Sequence, residues 1–253
     1  MKKKFFISNL LFLGWLLLAP DRDGGKAHAV MADPDELAAA ILRNDYVRLG
    51  FLLGRNSALP VRDGAGRPLL NLAAGAGQPE CIEVLLFHGA GTETPDSLGV
   101  RPLAVAAGAG NLAVVRRLLA AGARIDGGSA EGRTALVLAA ENDRREVIDY
   151  LLNAGAATWP GVAAGRGALS QAVRHGHELA AVRLLAGGAA PDETDGAGDT
   201  ILMLAVRRGM PLLAARLIEL KVDRAHRNRA GETALDIAEK RNDIGMMALL
   251  RDE

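Results

Sequence analysis

This chain is poor in the residues that usually carry chemistry. It has one cysteine, Cys81, and five histidines in 253 residues. A single thiol builds no disulfide framework, and so few histidines leave little for a metal site, which needs three or four converging ligands. His175-Gly176-His177 is the one close histidine pair. A tight turn is expected between the two, so the rings are read as diverging, and no Asp, Glu or Cys pattern completes a ligand set. His88 and His226 fall at a helix end and in a connector and are read as solvated. The 30 basic and 30 acidic side chains balance, which removes the electrostatic case for nucleic acid or an anionic membrane. A phosphate-binding loop and a nucleophile elbow are both missing. Gly75-Ala76-Gly77 and Gly108-Ala109-Gly110 lack the third glycine of a dinucleotide fingerprint. Neither a cofactor nor an enzymatic activity is expected.

What the chain has in abundance is a repeat. Gly66, Gly99, Gly132, Gly165, Gly198 and Gly231 stand 33 residues apart. Four residues after each comes Leu70, Leu103, Leu136, Leu169, Leu202 or Leu235. Three further on comes Ala73, Ala106, Ala139, Ala172, Ala205 or Ala238. A fixed period of this length signals stacked supersecondary units in place of one large core. The Leu and Ala columns lie three apart, on one face of a first helix near Pro68–Gly75 or Thr134–Glu141. Thr134, Thr200, Thr233 and, in the same column, Asp35 are expected to cap the free N–H groups of that helix. Asn44, Gly77, Gly110, Asp143, Gly176, Gly209 and Asn242 fill the column at its end. All seven are residues that enter the left-handed conformation at least cost, so a tight turn is predicted in every unit.

A second helix follows, marked by Leu85–Leu86, Leu118–Leu119, Leu151–Leu152, Leu184–Leu185 and Leu217–Ile218. Pro79 and Pro211 stand near its start, where proline is tolerated. Gly89–Ala90, Gly122–Ala123, Gly155–Ala156 and Gly188–Ala189 end it. Cys81 shares a column with Val114, Val147, Ala180, Leu213 and Met246. In an apolar slot a thiol acts as a small hydrophobe, so Cys81 is expected to be buried and inert.

Helix, tight turn, helix, Gly-Ala and a projecting connector at this period resemble the ankyrin repeat. The family pattern G-x-T-P-L-H-x-A-A is best kept in Gly132-Arg133-Thr134-Ala135-Leu136-Val137-Leu138-Ala139-Ala140 and recurs in Gly99-Val100-Arg101-Pro102-Leu103-Ala104-Val105-Ala106-Ala107. The resemblance implies an all-α solenoid of stacked helix-turn-helix units with projecting connectors. Residues 30–62 form an N-terminal capping repeat. Five internal repeats follow at 63–95, 96–128, 129–161, 162–194 and 195–227, and 228–253 is a C-terminal cap; the seven are numbered 1 to 7. There are departures. The family's His column reads Asn71, Ala104, Val137, Ser170, Met203 and Asp236, so the tether that this His gives between connectors is expected to be missing. Pro68, Arg101 and Gly167 replace the capping Thr, and unit 5 keeps the pattern least.

In such arrays the partner surface is usually the concave side, built from the connectors and the ends of the first helices. The two residues before the tight turn are Gly75/Ala76, Gly108/Ala109, Glu141/Asn142, Arg174/His175, Arg207/Arg208 and Lys240/Arg241. Early units present almost no side chain, and the last three present a stack of cations. Arg166, Arg174, His175, Arg207, Arg208, Lys240 and Arg241 are therefore the candidate partner-binding residues. Trp159, in the connector Ala157-Thr158-Trp159-Pro160, is added as an aromatic anchor. Asp199 and Glu232 stand where Arg166 stands in unit 5, placed to pair with Arg207 and Lys240; that pairing would make the face a self-neutralised one. The expected partner is a protein with an acidic surface, bound without catalysis by a monomer. It is either an envelope enzyme that the chain supports or a toxin that it blocks as an immunity protein.

The first residues read as an export signal. Lys2, Lys3 and Lys4 precede an apolar stretch, Phe5 to Leu18, broken by Ser8 and Asn9. That length suits a signal-peptide core and is short for a membrane span. Ala27-His28-Ala29 supplies the small residues before a cleavage site, so residues 1–29 are assigned to the leader. Its removal takes five basic and two acidic groups and leaves 25 basic against 28 acidic. Together with an Ala-, Gly- and Arg-rich bacterial composition, this places the mature chain in the periplasm, with no membrane partner. The alternative is a scaffold that keeps residues 5–18 as an inner-membrane anchor. Val30-Met31-Ala32 is a second cleavage candidate, and intact mass of the native protein is expected to start at Val30 or close to it; finding Met1–Lys4 still attached would decide for the anchor.

Overall fold

The computed structural model describes residues 33–54, 62–158 and 166–251. The leader and Trp159, and with them the readings made of both, lie outside the described residues. Those residues form fourteen α-helices in seven pairs. The pairs are α1 (Pro34–Leu42) with α2 (Tyr46–Gly54), α3 (Leu69–Ala76) with α4 (Pro79–Phe87), and α5 (Pro102–Ala109) with α6 (Leu112–Ala120). Next come α7 (Ala135–Glu141) with α8 (Arg145–Asn153), and α9 (Ala168–His175) with α10 (Glu178–Ala186). Last are α11 (Ile201–Arg208) with α12 (Pro211–Glu219), and α13 (Ala234–Lys240) with α14 (Ile244–Arg251). First helices pack on first helices of neighbouring units and second on second, which makes two layers.

The turn inside each pair is built alike. Asn44, Gly77, Gly110, Asp143, Gly176, Gly209 and Asn242 all take positive φ, between 53° and 87°. The next residue's N–H then reaches back over the end of the first helix. Gln78, Asn111, Arg144, His177, Met210 and Asp243 donate to Ala73, Ala106, Ala139, Ala172, Ala205 and Ala238 respectively. This bond satisfies a carbonyl left without a partner at the helix end. The accepting residues are the Ala column, and their side chains are fully buried. One short residue per unit therefore ends its helix and seats that helix against the next. Leu85, Leu118, Leu151, Leu184 and Leu217 close the second layer, also fully buried, each contributing roughly 1.5–3 kcal/mol. One continuous core runs from Leu37 to Leu250.

The Thr caps form as the sequence suggests: Thr134, Thr200 and Thr233 accept from the N–H of Val137, Met203 and Asp236. Asp35 does not cap. Pro34 starts α1 earlier than the other first helices, so Asp33 takes the cap and accepts from the Asp35 N–H. The Asp35 carboxylate instead accepts from the Gly64 N–H in the next connector.

The connectors are ordered despite lacking the family's His. Asn71, in that column, donates to the Val100 carbonyl at 2.9 Å, and Ser170 donates to Glu193 at 2.5 Å. His226 is not merely solvated: its Nε2 lies 3.1 Å from the Gly198 carbonyl, tying two connectors together. Among the described residues, five connectors also fold on themselves. Asp63, Asp96, Asp195 and Asn228 each accept, through Oδ1, the N–H groups two and four residues on. Ser129 does the same more weakly, accepting only from Arg133. In these five units the self-bonded turn holds the residue before the first-helix N-cap in a fixed place.

Cys81 is fully buried on α4 and points at the Asn44 side chain, 3.6 Å away. Burial, with the Glu80 and Asp45 carboxylates adding, pushes its thiol up to about 11. Because the thiolate is the nucleophile, reaction at neutral pH should be slower than for a free cysteine by about a hundredfold, before access is counted. A maleimide is expected to label Cys81 only once denaturant is added; fast labelling of the native protein would contradict this burial.

Candidate interaction surface

The candidate residues cluster at the C-terminal ends of the last three first helices and in the connectors before them. Arg174 and His175 end α9, Arg207 and Arg208 end α11, and Lys240 ends α13 with Arg241 as its C-cap. A cation in a last turn faces the partial negative charge of the helix end, so local stability favours these residue types. The bare early face has a packing cause. A Cβ on Gly75 would stand 3.3 Å from Val105 Cγ1, and one on Gly108 would stand 3.2 Å from Leu138 Cβ. A side chain there would press on the neighbouring first helix, which would have to give by a few tenths of an ångström.

The cations divide into two groups. Arg207 belongs to the first. Its Nε donates to Asp199 Oδ2 at 3.0 Å and its Nη2 to Glu232 Oε2 at 2.7 Å. Lys240 bonds the other oxygen of Glu232. Asn228 closes the network by donating to Asp199 Oδ1 at 2.6 Å and to Glu232 Oε2 at 3.3 Å. Arg207 and Lys240 thus spend their charge inside the chain, as the placement of Asp199 and Glu232 suggested.

The second group is uncommitted. Arg166, Arg174 and Arg208 line an open cavity of about 470 Å³, together with Arg133, His175, Glu131 and Glu141. Among the described residues, none of these arginines has a carboxylate within 4 Å. Glu131, held below its ordinary pKa first by the Ser129 hydroxyl, feels Arg133 and Arg166 only at longer range. Arg133 was missed in the sequence reading, although its column showed it: Arg67, Val100, Arg133, Arg166, Asp199 and Glu232 are successive members. Arg241 lines a smaller cavity with Arg207, Glu232 and Lys240.

His175 and His177 do not diverge. Their rings lie nearly parallel, 12° apart in plane, with centroids separated by 6.2 Å. The cause is a backbone partner for each ring. His175 Nδ1 lies 2.9 Å from the Gln171 carbonyl, in its own helix. His177 Nε2 lies 3.0 Å from the Glu141 carbonyl, one unit back. A carbonyl only accepts, so each of these nitrogens carries the proton and donates. The His177 column works this way elsewhere: Asn111 donates to the Ala74 carbonyl and Arg144 to the Gly108 carbonyl. His177 is therefore a clamp between units, and His175 is the member of the pair that lines the cavity.

The opposite, second-helix face is laced by contacts one unit apart. Arg117 pairs with Glu83, Arg183 pairs with Asp149, and the Arg116 guanidinium lies 5.0 Å from the Tyr150 ring centre. Glu178 accepts from the Leu212 and Leu213 N–H groups at the start of α12.

Hydrogen bonds from Lys240, Asn228 and Arg207 hold the Glu232 carboxyl down to about 2. A carboxylate depressed in the folded state stabilises it above its unfolded pKa, and that contribution is lost as pH falls through the folded value. Carbon-detected NMR of Glu232 is expected to show a midpoint near 2, and Lys240→Met should move it up toward the ordinary glutamate value of 4.5. An unshifted midpoint in the native protein would mean that the network does not hold in solution.

A family model described as ankyrin repeats (3 copies) matches residues 37–159 and 169–253. Among solved structures, the human ASB11 ankyrin repeat domain is similar with a TM-score of 0.74 and 24% identity, over 86% of this chain and 97% of that one. The ankyrin repeat domain of Bcl-3, described as a unique member of the IkappaB protein family, gives 0.73 and 22%, over 91% and 100%. At these identities the likeness concerns the fold alone. No curated protein matches the chain. With matched columns in register over most of its length and this stacked helix-pair architecture, the chain belongs to the ankyrin-repeat family.

Proposed function

We propose that this chain is a non-catalytic protein-binding array of the bacterial cell envelope, and that its first-helix groove in units 4 to 6 is the recognition surface. Ankyrin repeats are generally protein–protein interaction modules. One observation supports this groove over the rest of the surface. Among the described residues, three of its arginines have no carboxylate within 4 Å, whereas Arg116, Arg117 and Arg183 of the second-helix face each engage a neighbouring unit. A stacked array loses little conformational entropy on binding, so fixed side chains there select a partner efficiently. Export follows from the leader at residues 1–29, and the partner is then an envelope protein that the chain supports or inhibits.

Site-specific photo-crosslinking tests the reading. A photoreactive residue replacing exposed Asn142, at the end of α7, is expected to capture a discrete partner in the native envelope fraction. The same residue replacing exposed Glu146, on α8, should capture several-fold less. Equal capture from both positions would place binding elsewhere.

A further inference from the structure

We propose that the groove of units 4 to 6 binds an acidic segment of the partner, one of whose Asp or Glu carboxylates sits between Arg166 and Arg174. This rests on the groove being the binding face and adds the chemistry of what enters it.

The residue just before each first-helix N-cap and the residue eight positions on form a pair of columns. In unit 6 the pair is Asp199 and Arg207, joined at 3.0 Å. In unit 7 it is Glu232 and Lys240, also joined. In units 6 and 7 these two positions therefore come within ion-pair distance, which Arg133 and Glu141, the same pair in unit 4, do not. Unit 5 puts arginine at both, Arg166 and Arg174, and both line the same cavity. Arg207 gains a second carboxylate from the unit after it, Glu232. The equivalent acid for Arg174 would be Asp199, whose two oxygens are already taken by Arg207 and Asn228. Where the next two units hold an internal ion pair at these positions, unit 5 holds two like charges there. Arg208 and Arg133 add to the same cavity, opposed only by Glu131 and Glu141.

A carboxylate entering this place would make the bonds that Asp199 makes to Arg207, and would relieve the repulsion between the two arginines. Guanidinium groups favour it because they bind carboxylate oxygens in a planar, two-pronged way. Glu131 and Glu141 at the rim argue against a continuous polyanion, since they would meet its next charges. A cavity of about 470 Å³ takes a few side chains, which suits a short acidic segment.

The test copies unit 6 into unit 5. Arg166→Asp should pair with Arg174 as Asp199 pairs with Arg207, raising the melting temperature while removing the site. The probe is a fluorescein-labelled Gly-Ser peptide carrying four spaced Asp and Glu residues, titrated into the whole exported chain at 50 mM and 150 mM salt. Wild type should bind more tightly at the lower salt. Arg166→Asp should weaken binding about tenfold or more. Arg174→Met should weaken it comparably without raising the melting temperature, which keeps the test open if the first variant folds poorly. Lys221→Asp, an equal charge change at an exposed second-helix end, should alter affinity less than twofold.

Equal loss from Lys221→Asp, or full affinity in Arg166→Asp, would overturn the proposal. So would displacement of the peptide by inorganic tripolyphosphate at a lower concentration than by unlabelled peptide, since the site would then be a phosphate site. Absence of wild-type binding at 1 mM peptide would also overturn it. In that last case, partner capture through Asn142 would still stand, so the protein-binding reading would survive on its own evidence.

Discussion

A left-handed residue between two short helices is the constraint on which this fold depends. With positive φ at that residue, the following N–H donates to the carbonyl of the buried alanine five residues before it. That geometry stops the first helix and sets the entry of the second. The side chain after the turn is then free to reach the previous unit, as Asn111, Arg144 and His177 do. A residue confined to negative φ would lose the bond within the unit and the clamp between units together. Gly, Asn and Asp are the low-cost solutions, so the column never departs from them.

The same constraint explains why the surface changes character along the stack. At Gly75 and Gly108, two before the turn, the neighbouring first helix leaves tight room for a side chain. From unit 4 onward the column carries Glu141, Arg174, Arg207 and Lys240. Long side chains become possible there, and charge with them. Asp199 and Glu232 then absorb Arg207 and Lys240 into a network with Asn228. The charge left over is concentrated one unit earlier, around Arg166 and Arg174.

Much of this was legible in the sequence because a repeat prints its backbone rules as columns. The left-handed turns, the Thr caps, the buried alanines and the inert Cys81 all followed from residue type at a fixed spacing. The misreadings came where a side chain's partner is backbone, which leaves no complementary residue to notice. His175 and His177 stack because each meets a carbonyl, and His226 ties connectors by the same means. Asp35 lost its capping role because Pro34 moved the helix start, a local effect that overrides the column. The connector turns could have been found: Asp63, Asp96, Ser129, Asp195 and Asn228 each stand three before the repeat's glycine. Their regularity was hidden by attention to the glycine itself.

A repeat protein also carries its own substitution series. The backbone is held nearly constant from unit to unit, so a change within a column isolates the side chain's role in a way that a single globular domain does not allow. Arg133, Arg166, Asp199 and Glu232 form such a series at one backbone position. The last two members show that an acid there is structurally welcome, since each forms an ion pair across the groove with the helix end eight residues on. Arginine at Arg166 therefore gives up an available internal stabilisation and adds a repulsion. Exposed ion pairs are individually weak, about 0–1 kcal/mol, so the fold tolerates the loss easily. What the substitution changes more is the field in the groove, where clustered like charges select what enters. On the proposed reading, the position is thus cheap for stability and consequential for recognition, which is the combination expected of a residue placed to meet another molecule.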